Sequence, residues 1–229
     1  MSAPHERYQY KNFYGSSHWW ALRQCADLPV SVRVLDVGSG SGAIGETLKA
    51  HGVTELYAVE IDPEARKHVQ SIYKETASDI SAFSGQTFDL ILLLDVLEHM
   101  TEPFEYLAKM VSMLEPGGKM LISLPNVAHW SVRILLLFGI FDYHDRGIMD
   151  RTHYQFFTRK RVRHMIRNEP RLANHVFDSS IEPIEFFLPE VIWDNSFFRA
   201  ISRTRHAVAR MFPGLFAFQH LVMVEKSVS

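Results

Sequence analysis

The sequence predicts an α/β fold built on a mostly parallel sheet, and three observations carry that prediction. Strand-like and helix-like segments alternate from Val32 to Leu124, as parallel strands joined by crossover helices do. The run Leu90-Ile91-Leu92-Leu93-Leu94 is apolar without alternation, which suits a central strand buried on both faces. Finally, Val34-Leu35-Asp36-Val37-Gly38-Ser39-Gly40-Ser41-Gly42 leads a strand into a glycine-rich turn and then into helical residues.

Taken in order, strands are expected at Val32–Val37, Glu55–Glu60, Phe88–Leu94 and Lys119–Leu124, with a weakly marked one near Thr76. Helices are expected at Ala43–Ala50, Pro63–Tyr73 and Pro103–Leu114. Pro63 and Pro103 suit a first helical turn, where the missing N–H costs nothing, and Pro116-Gly117-Gly118 is read as the stop of the third helix. From Pro125 to Thr158 no strand period survives, and the segment reads as a loop-rich cap. The Thr158 hydroxyl can cap a helix that runs to about Asn168, ahead of Pro170. Two β-like segments follow, His175–Phe187 and Phe216–Lys226, around a helical insertion at Ser196–Met211. The organisation is one domain: 1–30 an N-terminal helical cover, 31–124 a ligand-binding core, 125–158 a cap, and 159–229 a C-terminal helix and strands with an insertion at about 189–213.

Composition narrows the function classes. With 24 Lys+Arg against 26 Asp+Glu in 229 residues, the net charge of −2 argues against a protein that coats a nucleic-acid backbone, so no nucleic-acid partner is expected. The single cysteine, Cys25, cannot form an intrachain disulfide, which fits a reducing, cytoplasmic setting. The first ten residues hold no apolar signal core, and the longest apolar stretch, Ile134–Phe141, is far below the roughly 20 residues of a membrane span.

The glycine-rich turn admits two ligands. Gly40-x-Gly42-x-x-Gly45 matches the dinucleotide fingerprint, with Glu60 further on to accept ribose hydroxyls. Asp36, however, stands just ahead of Gly38, where a carboxylate repels a pyrophosphate and accommodates a cation. On these residues the sequence resembles the class I S-adenosylmethionine-dependent methyltransferases. Their first-strand motif is similar to LDVGSGSG, their ribose acid to Glu60 in AVEIDP, their fourth-strand segment to FDLILLLDVLEHM and their pre-strand-five turn to LEPGGKMLIS. The resemblance implies a Rossmann-like sheet of seven strands with the last one antiparallel, and S-adenosyl-L-methionine as cofactor. It implies Asp36, Gly38, Gly40 and Gly42 at the methionine end and Glu60 on the ribose. Asp79 and Ile80 would then face the adenine, and Asp95 and Val96 the sulfonium. Helix capping is the structural alternative for Asp95.

Transfer of a methyl group to a hydroxyl needs alignment, exclusion of water and a base for the departing proton. His99, just beyond the fourth strand, is the candidate base, and His153 in the cap is a second candidate, expected to act on the acceptor. Asp142, Asp145 and Asp150 fit no standard metal spacing, and no metal is expected. A narrower resemblance, carried by LPNVAHW, GIFDY, GIMDRTH and FFT in the cap, HWW with Arg23 near the start, and LFAFQ near the end, is to methyltransferases encoded with bacterial surface-polysaccharide assembly. It implies a sugar or glycan-linked acceptor. The LDVLEH segment also resembles ubiquinone-pathway methyltransferases, which leaves a quinone-type phenol as the rival acceptor and a nicotinamide-dependent oxidoreductase as the rival class. The basic residues between Arg146 and Arg171 suit a phosphate or diphosphate, and for Arg159–Arg167 a solvated helix face is the alternative. The apolar and arginine residues of about 190–212 suit a peripheral contact with an anionic lipid surface, or packing on the domain.

Overall fold

The computed structural model describes residues 13–181 and 196–228. Strands β1 (Val34–Val37), β2 (Leu56–Val59), β3 (Glu75–Ala77), β4 (Phe88–Leu94), β5 (Leu114–Pro125), β6 (Leu172–Ser179) and β7 (Gln219–Lys226) form one seven-stranded sheet in the order β3-β2-β1-β4-β5-β7-β6. The first five pair in parallel, and β7 lies antiparallel between β5 and β6. The expected parallel sheet with its antiparallel last strand is therefore present.

The helices are α1 (Ser17–Gln24), α2 (Ala43–Ala50), α3 (Pro63–Val69), α4 (Pro103–Ser112), α5 (Trp130–Leu137), α6 (Arg159–Arg167), α7 (Ser196–Met211) and the short α8 (Pro213–Phe216). Successive strand residues feed opposite faces. Val34, Leu56, Leu90 and Leu92 pack with Trp20, Ile44, Leu48 and Val69 of α1, α2 and α3. Leu35, Val37, Ile91 and Leu93 pack with Leu107, Met110, Val162 and Met165 of α4 and α6. A sheet covered on both faces explains the unbroken apolar run in β4. Thr158 caps α6 as expected, its hydroxyl accepting from Arg161 N at 3.3 Å.

Several boundaries differ from the sequence reading, each for a physical reason. Helix α4 ends at Ser112, before the Pro-Gly-Gly turn, which instead forms a bulge inside β5: Phe88 pairs with Leu114, but Leu90 pairs with Lys119. Glycine is required there, since a Cβ on Gly118 would meet Glu115 O at 2.8 Å. Helix α3 ends at Val69, and Ile72 and Tyr73 turn back into the core. The cap contains helix α5, whose apolar residues occupy every face and so show no helical period; Val132 is buried while Ile134 to Phe138 are exposed. Helix α7 turns Ser202, His206 and Ala209 inward and leaves Phe197, Ile201 and Met211 exposed, the reverse of a simple apolar-inward face. Strand β6 begins at Leu172; residues 182–187 of the expected second segment, and Trp193 of the insertion, lie outside the described residues. No helix among the described residues is long and apolar enough to cross a membrane.

Candidate active site

The order β3-β2-β1-β4-β5 reverses direction at β1, and the loops after β1, β2, β3 and β4 all emerge at the carboxyl edge of the sheet. This is where open α/β folds bind ligands. The edge gathers Gly38 to Gly42, Glu60, Asp79 with Ile80, and Asp95 with Val96, each just beyond the end of its strand. The β1 and β4 exits touch: a Cβ on Gly38 would lie 3.1 Å from Val96 Cγ2.

The turn after β1 is built for close approach of a ligand to backbone. Gly42 caps α2 with φ of 79° and no side-chain bond of its own, and in the first turn the Gly45 N–H is met by the Tyr73 hydroxyl. Glu60 is buried and already tied to the turn, its carboxylate accepting from Gly40 N at 2.8 Å and from Asp62 N at 3.0 Å. A carboxylate has about four acceptor positions, so it retains capacity for a pair of hydroxyls. Asp36 is buried below the turn, where Tyr73 Oη donates to its Oδ2 at 2.5 Å. Burial pushes the Asp36 carboxyl up to about 6, with the Tyr73 bond opposing and the Glu60 charge adding to the rise. A cation arriving beside Asp36 restores its ionised form. Tyr73 was not singled out by its sequence; its partner signal is Gly45, where a Cβ would meet the Tyr73 ring and hydroxyl at 2.4 Å.

Asp79 follows β3 and caps the turn at Ile80–Phe83, accepting from Ser81 N at 2.8 Å; the Ser81 hydroxyl, with that N–H, holds its carboxyl below the usual range. Ile80 itself is buried in the core beside Phe83. Asp95 is the sole non-glycine at positive φ among the described residues, at 58°. The N-cap position of the turn that follows is Val96. The Asp95 carboxylate accepts from the Ser123 hydroxyl and from Gln219 Nε2 at 2.5 Å, while the Asp95 N–H donates to Ser123 Oγ at 2.9 Å. A strained residue held by two neighbouring strands marks a built site. Gln219, the first residue of β7, carried no sequence signal for this role.

The two candidate histidines come together. The rings of His99 and His153 meet edge to face at 4.9 Å, and the cap is fastened beside them by Tyr154 and Gln155 N–H groups donating to Glu98 O at 2.9 and 3.0 Å. His99 Nδ1 lies 3.0 Å from Thr152 O and His153 Nδ1 lies 3.1 Å from Ile148 O. A carbonyl only accepts, so each Nδ1 carries a hydrogen, and in the neutral ring the lone pair lies on Nε2. Burial and the neighbouring His99 lower the His153 pKa. Glu98, His99 and His153 also place one potential ligand atom each within 4.8 Å of one another, so the fold assembles a cation-sized group that sequence spacing did not suggest. The cap acids do not join it: Asp145 pairs with Arg151 at 2.7 Å and Asp150 accepts from Thr152. His129 lies apart, its imidazole lowered to about 4 by burial, at the wall of a cavity of about 510 Å³ shared with Trp130, Phe197, Ile201 and Phe216.

Comparison with known proteins agrees with this geometry. Residues 11–169 match the family described as "Methyltransferase domain". The chain is similar to the ubiquinone biosynthesis O-methyltransferases of Dinoroseobacter shibae (33% identity over 103 residues, 42% of each chain) and Xanthomonas axonopodis pv. citri (33% over 108 residues, 43% of this chain and 45% of the relative). It thus spans less than half the length of these relatives. In fold it resembles a SAM dependent methyltransferase from Archaeoglobus fulgidus (TM-score 0.59, 18% identity, 95% and 97% of the two chains). It also resembles the magnesium protoporphyrin IX methyltransferase of Synechocystis PCC 6803 with bound SAH (TM-score 0.57, 15% identity, 92% and 80%). With its strand order, its glycine-lined edge and a family match over residues 11–169, the chain belongs to the methyltransferase-domain family.

Proposed function

We propose that the protein transfers the methyl group of S-adenosylmethionine to a hydroxyl oxygen, with a phenol of the quinone-precursor type as the leading acceptor. The observation that carries the reaction is the meeting of His99 and His153 beside the Asp95 turn, with both Nε2 lone pairs available. The names of the relatives support the phenolic acceptor. The cofactor, when bound, supplies an activated methyl group on a sulfonium. Glu60 would hold its ribose hydroxyls and Asp36 its charged methionine end, both beside Gly38 to Gly42. His99 accepts the acceptor's proton at Nε2 as the oxygen attacks in line, and His153 orients the acceptor from the cap. The nicotinamide alternative falls with the family assignment.

A sugar or glycan-linked hydroxyl is the second reading, supported by the exposed rings of Phe141, Tyr143 and Tyr154 beside Asp142 and Asp150, a set that can stack on a sugar and bond its hydroxyls. The peripheral lipid contact through about 190–212 is supported by Phe197, Ile201 and Met211 standing exposed on the arginine-bearing helix α7.

Calorimetry tests the cofactor assignment. Glu60→Ala removes charge-assisted bonds worth about 1.5–3 kcal/mol each, so affinity for S-adenosylmethionine falls at least tenfold with the fold intact. Unchanged affinity overturns the assignment. Methyl transfer to a catechol against a nucleotide-linked sugar then separates the two acceptors. On the true acceptor, His99→Ala lowers kcat about a hundredfold or more at constant cofactor affinity, whereas His153→Ala raises KM. A rate abolished by a chelator in the parent protein would instead make the histidines metal ligands.

A further inference from the structure

Helix α6 reads Arg-Lys-Arg-Val-Arg-His-Met-Ile-Arg, without an acidic residue. It buries Val162, Met165 and Ile166 against the sheet and turns Lys160, Arg163, His164 and Arg167 outward, with Arg159 half-buried at its start. Arg159, Lys160, Arg163, His164 and Arg167 line a cavity of about 340 Å³ whose walls carry no carboxylate.

Two features separate this surface from an ordinary solvated helix face. The first is order: the guanidinium carbons of Arg159 and Arg163 lie 4.9 and 5.6 Å from the centre of one ring, Phe177 of β6. Stacking on a shared ring fixes two like charges side by side, with their N–H edges left for an acceptor. The second is unmet demand. Arg159 Nη1 is buried with no hydrogen-bond partner among the described residues, and neither ring nitrogen of the fully buried His220 has one. Burial, followed by Arg163, lowers the Arg159 pKa, and burial with Arg159 and Arg163 drives His220 down to about 3, so the imidazole is neutral. The acid facing this group, Asp178, is engaged by Arg210 at 3.2 Å and by His206 at 3.7 Å. A half-buried guanidinium with an unused N–H is costly without an anion.

We propose that the outer face of α6 and the Phe177 edge of the sheet bind a phosphate-bearing group, best a diphosphate. The chemistry selects phosphate over carboxylate: four permanent cations around one cavity call for a ligand of at least two negative charges, and tetrahedral oxygens can meet the two guanidinium forks at once. Helix α6 starts two residues after Phe157, which is bridged to Asn126 just past β5, so its N-terminal end lies at the sheet edge that carries Asp95. The proposal stands independently of the methyl-transfer reading.

The test is calorimetric titration of the protein with inorganic pyrophosphate at constant ionic strength. Saturable binding is expected, weakened at least tenfold in Arg163→Gln and further in Lys160→Gln/Arg163→Gln. Both variants change outward-facing residues, and their melting temperatures and S-adenosylmethionine affinities stay at the parent value. No saturable heat in the parent, or undiminished affinity in the double variant, overturns the proposal. Flotation with phosphatidylcholine vesicles, with and without phosphatidic acid, separates the sources of the group. Flotation that needs phosphatidic acid and is reversed by pyrophosphate assigns a lipid headgroup; pyrophosphate binding without flotation assigns a soluble phosphate ester.

Discussion

On the proposed function, Asp36 is a side chain kept for its ligand at the expense of the fold. Its carboxyl, raised to about 6, is more easily protonated in the native state than in the unfolded chain. Native protein therefore holds the extra proton, and stability falls as pH rises from about 4 to about 6 and stays reduced above that. Asp36→Asn keeps an acceptor for Tyr73 and removes the charge. At pH 7.5 the variant is expected to be more stable in urea, by on the order of 2–3 kcal/mol, while near pH 3.5 the gain disappears. Its affinity for S-adenosylmethionine falls at pH 7.5, and the deficit shrinks near pH 3.5, where Asp36 of the parent is itself protonated. A variant no more stable than the parent at pH 7.5 would mean that Asp36 is not penalised as described. For the parent, cofactor affinity weakens below about pH 6, because Asp36 must then release a proton on binding. Residues of this kind were legible beforehand: Asp36, Glu60 and His99 stand at fixed offsets from strand ends. Tyr73 and Gln219 were not, because each reaches the site across a long stretch of chain and has no local pattern to announce it.

Among the elements, the β1 turn and α2 followed their sequence closely because backbone chemistry dictates them: glycine where φ is positive, and apolar residues at helical spacing after it. Gly45 shows a different constraint. Its Cβ position is occupied by the Tyr73 ring, so Gly45→Ala must push that ring away from Asp36. We expect a stability loss of about 1–3 kcal/mol by chemical denaturation, together with weaker cofactor binding. The second substitution Tyr73→Phe, which removes only the hydroxyl bonded to Asp36, should add little further loss in the Gly45→Ala background, since that bond is already broken; full additivity would contradict the mechanism. Helix α5 stayed hidden for the opposite reason. Ile134, Leu135, Leu136 and Leu137 follow one another around the whole circumference, and a pattern with no polar face has no period to detect. The bulge at Pro116 to Gly118 was misread because a Pro-Gly-Gly sequence says that the chain turns, not whether it turns between elements or inside one.

At the level of the whole molecule, the sheet is a single body whose centre and periphery depend on each other. The parallel character of the sheet could be inferred from alternation and the antiparallel last strand from family likeness, whereas the strand order and the insertion of β7 between β5 and β6 were not foreseen, since pairing between distant strands leaves no local trace. That insertion places Gln219 against Asp95 at 2.5 Å, with Ser180 Oγ donating to Gln219 Oε1 at 3.1 Å. Gln219→Glu would set two carboxylates at bonding distance, where both cannot ionise. Its melting temperature is expected to match the parent near pH 5, where one proton is shared, and to drop by several degrees at pH 8; a flat difference across that range would sink the argument. The same strand has a consequence for how the molecule comes into being. Until Gln219 to Lys226 have been made, β5 presents an open edge and β6 has no neighbour, so the nascent sheet is an unfinished template for foreign strands. Asp95 also lacks its Gln219 partner during that interval. Catalytic competence should then appear in one late step of folding, when the most distant pairing closes, and refolding assays should see activity return only with that slow, non-local phase.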